Sequence, residues 1–114
     1  MKSNVSIVKC ASYDPAQVLA CVQKSVALLG GMAAFVKPKS KVLVKPNLLM
    51  AKPPEDAITT HPEVVRAVIR LIRPITKNIF CGDAPSVWGE ARDVDRVYEM
   101  TGIKKVCCEE GAEL

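Results

Sequence analysis

Three short polar clusters in this sequence carry side chains able to do chemistry: Lys45-Pro46-Asn47, Thr59-Thr60-His61 and Gly82-Asp83-Ala84-Pro85-Ser86. Their shared chemistry is anion capture. Lys45 supplies a full positive charge, while Asn47, Thr59, Thr60 and Ser86 supply neutral hydrogen-bonding groups, and Gly82 lets a backbone approach closely. His61 can change its charge near neutral pH. Asp83 is the one carboxylate in the middle of the set, so it is the candidate base, metal ligand or hydroxyl acceptor. Asp83 and His61 are therefore the candidate catalytic side chains.

Each cluster also has a plainer reading. Thr60 and Glu63 have the spacing of a helix capping box. His61, in the first turn of a helix, reads equally as a surface residue, and Gly82-Asp83-Ala84-Pro85 as a turn. Arg66, Arg70 and Arg73 recur at helical spacing and suit a solvated helix face. No G-x-G-x-x-G, P-loop, G-x-S-x-G or H-E-x-x-H signature is present. The residues alone support a binding crevice without specifying a reaction.

The elements that must position these clusters follow from the hydrophobic pattern. Residues 5–11 alternate as a strand, with Val5 and Ile7 on one face. Asp14-Pro15 opens a helix, with Gln17 at the capping-box position, and Gly30-Gly31 stops it. Val42-Leu43-Val44 is continuously apolar, as in a strand covered on both faces. A second helix begins with Thr60 as its cap, buries Val64, Val65, Val68, Ile69 and Ile72, and ends at Pro74. Residues 78–81 form a third strand. A third helix over 90–100 turns Val94, Val97 and Tyr98 inward and ends at Gly102. Residues 105–108 form a fourth strand. Strand and helix alternate, which predicts an α/β, Rossmann-like, mostly parallel sheet of four strands with helices on both faces. In such sheets ligands bind beyond the carboxyl ends of the strands, where all three polar clusters fall. The loop over 46–59 is unusually long for a compact domain, a common sign of function.

With 114 residues the chain has room for one domain, 1–114. Nearly half the residues (49%) are apolar and a quarter (25%) charged, which excludes disorder and low-complexity tails. A net charge of +4 suits an anionic small molecule and is too small to argue for nucleic acid. The longest uncharged stretch is too short to span a bilayer, and no signal peptide is evident, so the expected address is the cytoplasm with no membrane partner. The five cysteines lack any C-x-x-C spacing and read as small apolar residues in a reducing compartment. No metal site is expected within the chain. The ending, directly after an expected strand, reads as the first part of a larger domain.

The run Val42-Leu43-Val44-Lys45-Pro46-Asn47-Leu48, then Thr59-Thr60-His61-Pro62-Glu63-Val64-Val65-Arg66, then Gly82-Asp83-Ala84-Pro85, resembles the family catalogued as domain of unknown function 362. The resemblance implies a longer protein, often carrying or sitting beside a ferredoxin-like segment that binds [4Fe–4S] clusters. Carried over by position, the family's recurrent polar residues are Lys45, Asn47, Thr60, His61, Gly82 and Asp83. Where relatives have Gly-Asp-Ser-Pro-Gly, this chain has Ala84 and Ser86, which weakens a phosphate-cradling loop. The cluster cysteines are absent, because Cys107 and Cys108 on one strand would point to opposite faces. Any cluster is thus expected in the missing C-terminal remainder or a ferredoxin-like partner. Two functions remain open: a small-anion or cofactor crevice serving a redox or metal-dependent activity, and a non-catalytic assembly module docking on the rest of its chain or a partner.

Overall fold

The computed structural model describes residues 2–85 and 93–114. Helix α1 (Pro15–Ala27) starts where the sequence says it should: Asp14 accepts from the Gln17 N–H, at 3.0 Å, and Pro15 fills the first turn. Gln17 does not reach back to the cap directly. Its Oε1 accepts from the Ser12 hydroxyl, at 2.7 Å, and Ser12 Oγ in turn accepts from the Asp14 N–H. Gly30 and Gly31 then take positive φ values of 100° and 81°, which ends the helix.

A two-stranded parallel sheet follows, built from β1 (Val42–Val44) and β2 (Ile79–Cys81), with Val42 opposite Ile79 and Val44 opposite Cys81. Helix α2 (Pro62–Ile72) makes the crossover between them and packs against α1, β1 and α4 (Ile103–Glu110). A seven-residue helix α3 (Val94–Met100) precedes α4. The core collects Val65, Ile69 and Ile72 from α2, Ile79 and Cys81 from β2, Val97 from α3, and Ile103, Val106 and Cys107 from α4.

Four expectations are corrected here. Residues 5–11 form no strand; they run beside α1, with Ser6 Oγ 3.0 Å from Ser25 Oγ, and leave Val5 and Ile7 81% and 88% exposed. Period-two alternation makes a strand only where a partner edge is offered, and none is offered among the described residues. Residues 105–108 are helical, not a strand. Ile103, Val106 and Cys107 recur at three and four residues and are buried, while Gly102 and Gly111 close the helix ends in left-handed conformation. A four-residue run cannot separate these two periodicities. Val94 faces solvent rather than the core, although Val97 and Tyr98 do pack inward. The start of the expected third helix, residues 90–92, lies outside the described residues.

The fourth correction concerns the sheet. Among the described residues it has two strands rather than four, and helices cover one face. Ile79 and Cys81 point into the core, whereas Leu43 and its register partner Phe80 point the other way. Leu43 is 63% exposed there, and Lys41 Nζ sits 4.5 Å over the Phe80 ring. Beyond α4 the chain returns to β2: Glu113 N–H donates to Ile79 O at 2.9 Å and Glu113 O accepts from Cys81 N–H at 2.7 Å. One parallel rung is thereby laid on the far side of β2 from β1.

Candidate functional site

The loop leaving β1 is clasped from two sides. Asn47 N–H donates to Thr60 Oγ1 and Asn47 O accepts from Thr60 N–H, both at 2.9 Å. One residue on, Leu48 sinks its side chain into the core and gives its N–H to Asp83 Oδ2, at 3.0 Å. The other carboxylate oxygen of Asp83 lies 2.5 Å from Lys45 Nζ. Lys45, Asn47, Thr60 and Asp83, expected at one sheet edge from three separate segments, are thus joined by direct bonds.

The turn that carries Asp83 is itself fixed. Gly82 N–H extends the parallel ladder to Val44 O, at 3.0 Å. Tyr98, from α3, accepts from the Asp83 N–H at 3.1 Å and donates to the Asp83 carbonyl at 3.2 Å. A Cβ on Gly82 would lie 3.3 Å from the Tyr98 hydroxyl, so the approach requires glycine or a shift of the tyrosine. The Lys45 ammonium and the Leu48 N–H hold the Asp83 carboxyl below the usual carboxylate range, against the opposing effect of burial. A carboxylate ionised this firmly is a weak base near neutrality. Its bonds favour holding a cation, and the cation it holds is Lys45. The two partners differ sharply in exposure: the Lys45 side chain is 68% exposed and that of Asp83 7%.

Around His61 the expectation of a capping box is overturned. His61, not Thr60, caps α2: its Nδ1 accepts from the Glu63 N–H at 3.2 Å, and its carbonyl accepts from the Val64 N–H at 3.0 Å. Pro62 occupies the first helical position, which leaves the residue before it as the cap. Thr60 is taken by Asn47, and Glu63 turns to Arg66. The first N–H groups of α2 are therefore used within the helix. The imidazole stacks on Tyr13, with centroids 3.7 Å apart and planes inclined by 6°. Burial lowers its pKa in spite of nearby Glu63 and Glu55, which favours the neutral ring that a cap acceptor must be. Thr59 lies half-buried beside Thr60. Ser86 lies outside the described residues.

Sequence reasoning missed three groups. In the sequence Tyr98 reads only as an inward-packing residue, and Tyr13 is not singled out. Arg66, Arg70 and Arg73 are not a solvated stripe; they fasten α2 to α4. Arg66, 13% exposed, pairs with Glu63, Glu109 and Glu110, at 2.9, 2.7 and 2.8 Å. Arg70 joins Glu110 at 2.8 Å, and Arg73 bonds the Glu110 carbonyl. The adjacent acids at the chain's end carried the complementary signal. Of the cysteines, Cys81 and Cys107 are buried in the core, while Cys10 and Cys108 are exposed. Among the described residues no three His, Cys, Asp or Glu side chains converge as metal ligands.

Taken together, the elements define an α/β unit whose parallel strands deliver a lysine, a carboxylate and a clasped loop to their carboxyl edge. The chain belongs to the family described as Domain of unknown function (DUF362), whose profile matches residues 42–114, the stretch from β1 to the end. It is also 42% identical over 94 residues to the Thylakoid-associated protein sll1697 of Synechocystis sp.. That match covers 82% of this chain and 29% of the relative, so the chain spans less than a third of that protein's length. No solved structure matches it. No described helix is long and apolar enough to cross a membrane.

Proposed function

We propose that this unit recognises the anionic group of a small ligand through Lys45, and that Asp83 serves as the positioning residue that aims the ammonium. The observation that supports the reading is the pairing of an exposed cation with a buried carboxylate at a parallel sheet's carboxyl edge. A lysine that met only water would not need a buried, doubly bonded partner. Asn47 and Thr60 hold the loop that carries Lys45, and Gly82 brings the Asp83 turn up to it. His61 shapes the neighbouring helix start as a neutral ring. The wider activity would be redox or metal-dependent chemistry in a cytoplasmic, iron–sulfur-associated protein. Its clusters would lie in further polypeptide or a ferredoxin-like partner. A thermal unfolding series in inorganic pyrophosphate tests the proposal. A ligand bound to the folded state raises the midpoint with concentration. The rise is expected for the unaltered chain and Lys45→Arg, and lost in Lys45→Ala. An equal rise in Lys45→Ala overturns the assignment.

A second reading, an assembly module, draws on a different observation. Parallel sheets are normally covered on both faces, yet Leu43 is 63% exposed here and Val5 and Ile7 lie bare. On this reading the open face docks onto further polypeptide of its own chain or a partner. Self-association that Leu43→Glu relieves in analytical ultracentrifugation is the expected result, and identical sedimentation of both forms counts against it.

A further inference from the structure

The groove between the N-terminal segment and α1 encloses a cavity of about 450 Å³, lined by Val8, Cys10, Tyr13, Val18, Cys21 and Val22 among others. Two of its lining residues are thiols. Cys10 Sγ lies 3.2 Å from Ser12 O, and Cys21 Sγ lies 3.5 Å from Lys9 O, which places the Cys21 thiol against the backbone that immediately precedes Cys10. Both thiols thus open onto the same groove. Neither belongs to the core that holds Cys81 and Cys107. Cys10 is exposed and Cys21 half-buried, so a soluble oxidant can reach the pair.

We propose that Cys10 and Cys21 are a dithiol site that closes reversibly to a disulfide by exchange with a low-molecular-weight disulfide, clamping the N-terminal segment onto α1. Cys10, the exposed member, attacks as thiolate; an S–S bond forms to one half of the small disulfide and the other half leaves as a thiol. The Cys21 thiolate then displaces the remaining half. Two protein thiols lose two electrons, the small disulfide gains them, and the two protons end on the released small thiols. Burial and the adjacent Cys10 push the Cys21 thiol up, which suits a resolving cysteine shielded until the mixed disulfide forms beside it.

The site matters because of what the segment carries. Without the clamp, the stretch 2–11 is held to α1 by side-chain contacts such as Ser6 with Ser25. Three residues after Cys10, Tyr13 stacks on His61, the cap of α2. Closing the bond ties the backbone on one side of that stack to α1.

The test uses the full chain, equilibrated with mixtures of reduced and oxidised glutathione, quenched in acid, alkylated and mapped by mass spectrometry. The expected product is about 2 Da lighter before alkylation, contains one peptide joining Cys10 to Cys21, and reverts with dithiothreitol. Cys10→Ser and Cys21→Ser should instead stop at a glutathione adduct on the remaining cysteine. The thermal midpoint should rise on oxidation in the unaltered chain and stay fixed in Cys21→Ser. Adducts confined to Cys108, or five freely alkylated cysteines across the series, overturn the proposal.

Discussion

Removing either partner of the Lys45–Asp83 pair should have unequal consequences. Asp83→Ala deletes the acceptor of the Leu48 N–H, beside a side chain that is itself buried. An unsatisfied buried donor costs roughly 1–3 kcal/mol. The lost ion pair adds at most about 1 kcal/mol, because Lys45 is mostly in water. The expected loss is therefore about 1–4 kcal/mol. For a chain of 114 residues this lowers the thermal midpoint by roughly 4–16 °C. Lys45→Ala leaves the carboxylate its N–H bond and access to water at its rim, and should cost no more than about 1 kcal/mol. Asp83→Asn, which keeps an acceptor for Leu48, should fall between them. The pH profile carries a sign. Because the folded pKa of Asp83 lies below its unfolded value, its stabilisation is complete above about pH 4 and fades as pH falls through the folded value. The gap between the unaltered chain and Asp83→Ala should shrink accordingly in acid. Urea denaturation of the three variants at pH 7 is the assay. Equal losses in Lys45→Ala and Asp83→Ala would refute the reasoning, since the carboxylate would then have no structural task beyond the pair.

Four further outcomes are expected. His61 is the chain's single histidine, and its lowered pKa means stability rises with pH up to about 6.5 and then levels; His61→Asn should keep the cap and flatten that slope in denaturation curves taken from pH 5 to 8. His61→Ala, which loses the cap, should cost about 1 kcal/mol relative to His61→Asn. Arg66→Ala should lower stability by about 1–3 kcal/mol, since it takes the bonded guanidinium from Glu63 and leaves Glu110 to Arg70 alone, and Arg66→Lys should recover little because one ammonium cannot span three carboxylates. Tyr98→Phe, which removes both hydroxyl bonds to the Asp83 backbone, should cost about 1–2 kcal/mol in calorimetry without altering Lys45 exposure.

What could be read from the sequence was what local rules decide. Asp14-Pro15 and Gly30-Gly31 bound α1 because capping and left-handed stops act within a few residues. Val65, Ile69 and Ile72 identified the buried stripe of α2 because its period is sustained over three turns. Lys45, Asn47, Thr60 and Asp83 came to one edge because β1–α2–β2 alternation fixes where parallel strands end. What failed depended on distant partners. Residues 5–11 have a strand's pattern and no strand to join. Residues 105–108 are too few to show a period, and their helix is secured by Arg66 and Arg70 some forty positions earlier. Thr60 looked like a cap, yet Asn47 across the loop claimed it and Pro62 moved the cap to His61. Asp83 was picked out as the carboxylate in the cluster, but its tie to Leu48 and the grip of Tyr98 follow from packing that no spacing encodes.

In the proposed function Lys45 is an ammonium aimed by Asp83 at a ligand rather than a residue paired for stability alone. Its most direct test is an NMR titration of the isotopically labelled chain with inorganic pyrophosphate, followed at the amides of residues 43–48 and 82–84. Saturable shifts centred on those residues, lost in Lys45→Ala while the rest of its spectrum is unchanged, are expected. Shifts that persist in Lys45→Ala, or no saturable shift there in the unaltered chain, would contradict it.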